Sequence, residues 1–320
     1  MSVSDIFIIL IPIFFVILLG FFGGYFKVFN SASSKGLNTL VTKFALPAHL
    51  FIGITTTKKE TLIDKWPFFM TIFLGIIGFY VVLLLVMRFI FKVNLSQSSI
   101  FSLNATQPSF AFMGIPVLGN LFGAAEVTIP IAITGIVVNA LLDPIATIVS
   151  SVGKKTEAGK KSGHGESLFK LTVHSIIHGL KEPLACIPLL GVILTLFGFQ
   201  SPQLLQSSFD QIGSITSGAA LFAIGVTVGI NRIKFSLNAI SISLLKVIAL
   251  PLFTYMFAIL MGLSSTDVTM VILLVSFPGS AVAAMIASRF DTLEVETASS
   301  FVMSSVLSLI SLPILISILV

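Results

Sequence analysis

Charge is scarce in this chain. Lysine, arginine, aspartate and glutamate together make up 10% of its 320 residues, where a soluble domain carries about 25%. That shortfall excludes an ordinary water-facing globular surface. Cysteine is scarcer still: Cys186 stands alone in an apolar run, which excludes a disulfide framework. Histidine occurs four times, and no H-E-x-x-H, G-x-S-x-G or Walker A string is present. The chain thus lacks the signatures of a zinc hydrolase, a serine hydrolase and a P-loop ATPase. No nucleic-acid motif occurs, no cofactor is called for, and nothing points to an enzyme.

Apolar residues fill the space. The chain is 56% hydrophobic with 30 phenylalanines and has a mean hydropathy of +1.09, the composition of a polytopic membrane protein. The net charge of +5 and pI near 9.4 come from basic residues in short loops between apolar runs, the footprint of membrane orientation.

Ten spans are predicted, at about 6–25, 37–56, 66–87, 96–123, 127–149, 183–199, 212–230, 236–262, 267–288 and 297–319. The first has no basic leader or small-residue cleavage site and reads as a retained span. Between the fifth and sixth, residues 150–167 are polar, Gly/Ser-rich and carry four lysines, the composition of a flexible linker. Residues 168–180 place Phe169, Val173, Ile176, Ile177 and Leu180 on one face, as in a helix lying at the membrane surface. His174 and His178 on that segment have metal-ligand spacing but no carboxylate or cysteine nearby, so no metal site is expected. The domains expected are 1–149, 150–181 and 182–320.

Two spans are broken. Pro108 lacks an N–H and crowds the carbonyl of Asn104, and Pro116 does the same to Phe112. A second break lies at Phe277-Pro278-Gly279-Ser280. A freed carbonyl in hydrocarbon costs several kcal/mol, so such breaks belong where backbone is buried in protein or lines a cavity.

The breaks belong to a repeat. Pro12 and Gly20 match Pro183 and Gly191, and Pro108 matches Pro278. Phe122, Glu126 and Val127 match Phe290, Glu294 and Val295, and Pro144 matches Pro313. All of these matches share one register, and their offset along the chain hardly drifts. Five spans per repeat is an odd number, so the halves insert with opposite topology. Paired broken helices in inverted repeats mark secondary transporters, with the site where the breaks cross. The fold expected is an all-α membrane protein of ten transmembrane helices, two inverted five-helix repeats with broken, crossing fourth and ninth helices. The basic residues put both termini outside the cell membrane and the linker in the cytoplasm, with Lys58, Lys59 and Lys65 as the basic residues left outside.

The segments LVTKFALPAHLF, TQPSFAFMGIPVLGNLFG, KEPLACIPLLGVIL, SGAALFAIGVTV and SFPGSAVAAMIASRFD resemble the auxin efflux carrier family. That family includes plant PIN auxin exporters and bacterial permeases for malate, malonate and related acids. The resemblance covers nearly the whole chain. It implies a scaffold domain, a transport domain holding the crossed helices, homodimerisation and elevator-type alternating access. Plant PIN carriers have Asn directly after the fourth-span proline, and this chain has Ser109, a departure from an indole-type substrate.

Three features favour an anionic substrate. Each break exposes a half-helix N-terminus that attracts negative charge. Lys246 lies in mid-span among apolar residues, where a charge faces a cavity or partner; the alternatives are a pair with Asp143 or a helix end. Asn104, Gln107, Ser109, Ser276 and Ser280 cluster at the breaks, with Pro108, Pro278 and Gly279, and can orient carboxylate oxygens. His49 and Asp143 are candidates for proton coupling, against packing and capping roles respectively. The function expected is a secondary carrier of a small organic anion such as a malate-like mono- or dicarboxylate, with protons or a counter-transported anion as further partners. The alternatives are an anion channel or a carrier of amino acids or auxin-like aromatic acids.

Overall fold

The computed structural model describes residues 3–159, 181, 183–230 and 234–320. The surface helix expected at 168–180, with His174 and His178, most of the linker, and Arg232 lie outside the described residues. The described residues are helical, with no β-structure among them except one isolated bridge. In chain order the helices are α1 (Val3–Tyr25), α2 (Ser31–Thr55), α3 (Lys59–Ile90), α4 (Leu95–Thr106), α5 (Phe110–Phe122) and α6 (Ala124–Lys154). They continue as α7 (Pro183–Leu196), α8 (Gln203–Ile230), α9 (Leu237–Leu260), α10 (Ser265–Ser276), α11 (Ala281–Arg289) and α12 (Glu294–Leu319). Six of these, α2, α3, α6, α8, α9 and α12, are long and apolar enough to cross a membrane alone.

The first residues of the expected linker, 150–159, are helical. Helix continues beyond α6 to Gly159, and Ser150 is buried, giving its hydroxyl to Ser99 at 3.0 Å. Tyr80 and the carbonyl of Ala146 meet the same Ser99 hydroxyl, so the end of α6 is anchored to α3 and α4 by a satisfied polar cluster.

Proline shapes the long helices without breaking them. Just before Pro47, Pro144 and Pro251, the amides of Leu46, Asp143 and Leu250 each reach back five residues, to the carbonyls of Val41, Val138 and Leu245. A proline removes one donor and crowds the carbonyl four residues back. A widened π turn gives that carbonyl room and keeps the neighbouring amide bonded. Pro116 lies inside another such turn, Gly114–Leu118, so α5 runs through it and only Pro108 divides the fourth apolar stretch.

Two packing groups emerge. In one, α1 crosses α8 with almost no side chain between them: a carbon added at Gly20, Gly24, Gly225 or Gly229 would strike the carbonyl of Phe222, Val226, Ile17 or Phe21. Such small-residue crossings let backbones approach in lipid. Helix α2 packs on α7, where Thr195 donates to the Ile54 carbonyl at 3.2 Å, and on α8, where the Ser34 and Thr227 hydroxyls are 2.7 Å apart. In the other group, α4 packs on α6, α9 on α12, and α3 on α9 and α10. Lys65 pairs there with Asp267 at 2.5 Å. Helix α4 is polar yet buried, because Ser98, Ser102, Asn104 and Thr106 each bond a carbonyl four residues back. The outward apolar side chains, among them Phe15, Leu85, Ile248 and Ile310, suit a lipid surface.

Several local features recur at the offset of the sequence repeat. Left-handed backbone occurs in such pairs, Lys27 with Gly198, Lys92 with Gly262, and Gly123 with Asp291. Asn94 and Ser264 correspond in the same way, and cap α4 and α10 with their side chains. So do the π turns Leu74–Gly78 and Leu245–Ala249.

Candidate functional site

The two proline breaks meet. Helix α4 stops at Thr106, Gln107 is extended (φ −71°, ψ 115°), and α5 restarts at Phe110. Helix α10 stops at Ser276, Phe277 is extended (φ −57°, ψ 149°), and α11 restarts at Ala281. Pro108 and Gly279 form an antiparallel bridge. The Ser109 amide donates to the Pro278 carbonyl at 2.8 Å, and its hydroxyl to the Gly279 carbonyl at 2.7 Å. The Gly279 amide donates in turn to the hydroxyl of Ser304, on α12, at 3.0 Å. Backbone polar groups at each break are thus satisfied by groups of the other break and of α12, as an apolar surround demands.

This arrangement alters the expectation of open half-helix termini. The amides of Ser109 and Gly279 are engaged within the crossing. That of Val282 bonds the Ser280 hydroxyl at 3.1 Å, while those of Phe112 and Met113 fold back on Ser109. Phe110 and Ala111 head α5, where the first amides of a helix have no acceptor within it.

The remaining expected residues divide into those at the crossing and those away from it. Asn104 and Ser276 are buried beside the breaks but bond carbonyls of their own helices, Ile100 at 2.9 Å and Ile272 at 2.6 Å. Gln107 ties the first break to α6, donating its amide to Asp143 at 2.7 Å. Its carbonyl oxygen is buried without a partner among the described residues, an acceptor available to a water or ligand. Asp143 therefore belongs to the crossing. His49 does not: it sits on α2 against Gly213 of α8 and within electrostatic reach of Asp210.

Lys246 is fully buried, and its Nζ donates to the Val275 carbonyl at 2.6 Å. Its partner is thus the end of a helix and not Asp143. Val275 lies in the last turn of α10, where carbonyls lack helical donors and the dipole is negative.

A cavity of about 10 Å³ adjoins Ser109, lined also by Asn38, Phe112, Ile224, Thr227 and Phe301. It has room for about one water molecule. A larger open depression of about 460 Å³ is lined by Lys234, Asp291, Glu294 and Glu296 among others, and by none of the crossing residues. Sequence reading missed Ser304, Asn38 and Thr227. Ser304 had a signal: Ser300, Ser304 and Ser308 form a hydroxyl stripe with helical spacing on α12, buried throughout.

An all-helical, lipid-compatible chain whose two broken helices interlock at their prolines has the build of a membrane transporter. The profile of the membrane transport protein family matches residues 5–316, and the chain belongs to that family, the auxin efflux carrier family. Among its relatives is "Uncharacterized transporter YfdV" of Escherichia coli K12, 29% identical over 283 residues, covering 88% of this chain and 87% of that one. "Uncharacterized transporter MJ1031" of Methanocaldococcus jannaschii is 20% identical over 313 residues, 94% of this chain and 95% of that one. The mouse "Lysosomal cholesterol signaling protein" is 25% identical over 261 residues, 79% of this chain but 30% of that much longer protein.

Proposed function

We propose that this protein is a secondary carrier of small organic anions, malate-like mono- or dicarboxylates, working by elevator-type alternating access in the cell membrane. The observation that carries the reading is the interlocked pair of breaks at Ser109, Pro278 and Gly279, the place where inverted-repeat carriers bind substrate. Substrate contacts are assigned to Asn104, Gln107, Pro108, Ser109, Ser276, Pro278, Gly279 and Ser280, with Lys246 supplying positive charge. His49 and Asp143 are the groups available for proton coupling, and Asp143 is the better placed through Gln107.

The architecture proposed is ten crossings in two inverted five-helix repeats, the second starting at about residue 182. Its support is the recurrence of left-handed residues, side-chain caps and π turns at the offset of the sequence repeat. Contacts between helix ends agree with the alternation: Thr55 with Ser201, and Lys65 with Asp267, pair ends assigned to the outer side. The lysine and arginine distribution supports outer termini. The group of α1, α2, α7 and α8 is the scaffold in this reading and the remaining helices the moving body. The family resemblance supports a homodimer.

The cavity beside Ser109, about 10 Å³, has room for about one water molecule, which supports a carrier over a channel in this reading. Uptake of labelled mono- and dicarboxylates into proteoliposomes, with and without a proton gradient, tests the assignment. Saturable uptake of at least one such acid is expected. Passage of inorganic ions at channel rates, or no uptake across the acid panel, would refute it.

A further inference from the structure

We propose that the side chain of Lys246 holds the place of a coupling cation, so that the second break is a built cation site filled by the chain's own ammonium group. The inference rests on the carrier reading for its mechanism, and on geometry for the site.

A broken helix leaves its last carbonyls without donors, with the negative end of the helix dipole among them. In inverted-repeat transporters such half-helix C-terminal ends and unwound carbonyls coordinate the coupling cation. Helix α10 ends in this way at Ser276, ahead of extended Phe277. The Lys246 ammonium group lies on that end, 2.6 Å from the Val275 carbonyl. Its side chain is completely buried, and among the described residues no carboxylate pairs with it. Its one polar partner among them is the helix end, as a bound cation's would be.

The local fold supports a positioned group rather than a stray charge. Lys246 lies in the π turn Leu245–Ala249, and such turns re-aim side chains at functional sites. The matching turn of the first half, Leu74–Gly78, has Gly75 at the equivalent place, closed off by Thr254. Among the described residues, one break therefore carries a tethered cation and the equivalent place at the other does not. A cation fixed by a covalent arm cannot be released with the substrate. Uptake should then need no free sodium or potassium, and the fixed charge should offset an anion at the crossing on every cycle.

The test uses purified full-length protein, measured both for melting temperature and for carboxylate uptake in proteoliposomes. The parent should transport equally in sodium, potassium and choline media. Lys246→Ala should lose uptake roughly tenfold or more, as loss of one charge-assisted hydrogen bond gives, and should melt earlier. Propylammonium, which replaces the deleted atoms and charge, should restore both; propanol, similar in shape and neutral, should not. Lys246→Met fills the volume without charge and keeps the test open if Lys246→Ala folds poorly; it should fold and fail to transport. A sodium requirement in the parent, parental uptake by Lys246→Met, or equal rescue by propanol would overturn the proposal. Recovery of melting temperature by propylammonium without uptake of any acid would uphold the site and refute the carrier reading instead.

Discussion

Ser109 gives its amide hydrogen to the carbonyl of Pro278, 2.8 Å away on the other broken helix. Neither group could be satisfied within its own helix, since one precedes a restart and the other sits at a break. The hydrogen bond exists because both helices fail at the same depth. It converts two costly interruptions into one shared structure, further fixed by the Ser109 hydroxyl on Gly279.

Replacing Ser109 tests that link. Ser109→Ala keeps the amide bond but leaves the Gly279 carbonyl short of a donor, which should cost about 1 kcal/mol and lower the melting temperature. Ser109→Thr retains the hydroxyl and should recover most of the loss. Equal melting of Ser109→Ala and the parent would show that the hydroxyl contributes nothing to the crossing.

The prolines themselves make a second test. Pro108→Ala and Pro278→Ala permit continuous helices, and an interior proline costs an ordinary helix about 3 kcal/mol. Local helix stability should hold or rise while carboxylate affinity and uptake fall, because the interlock is lost. Pro313→Ala, inside α12 and away from the breaks, should change uptake less. Parental uptake by both break variants would reduce the prolines to ordinary kinks.

A third prediction concerns the α1–α8 crossing. At Gly225 a side chain would run into the backbone of Ile17, so Gly225→Val should destabilise by roughly 1–3 kcal/mol, the usual range for overpacking. Gly36 has open space around its missing Cβ, and Gly36→Ala should be neutral or raise stability by about 0.5–1 kcal/mol. Thermal unfolding in detergent compares the two; matching effects would remove the case for a glycine-dependent contact.

Orientation can be read chemically. In a Cys186→Ser background, a cysteine at exposed Lys58 should react with an impermeant maleimide only from outside, and one at exposed Lys92 only from the cytoplasm. Labelling of both from one side would overturn the proposed topology.

Pro108 and Pro278 announced themselves in the sequence because a proline inside an apolar run has few tolerable environments. Their shared offset with Gly20 and Gly191 points to a repeat from sequence alone. The bonding partners were not readable. Nothing local to Ser109 names Pro278, and nothing near Lys246 separates a substrate from the end of α10; both depend on contacts between distant helices. Pro116 shows the opposite error, since the rule that it breaks a helix ignores the widened turn at Gly114–Leu118. Gln107 and Asp143 were each noticed, but as separate candidates, because they lie on different helices and only the fold joins them.

The widened turns before Pro47, Pro144 and Pro251 also set an angular phase. Each extra residue advances the remainder of its helix by about 100° relative to a plain α-helix. The two ends of α9 therefore present faces that no single helical wheel would align, and Lys246 meets α10 partly because of where the count slips. In such a helix, removing one residue is a larger change than replacing one: a substitution alters a single side chain, a deletion rotates everything beyond it. The length of chain between Ser236 and Pro251 is thus as much a determinant of the crossing as the residues that fill it.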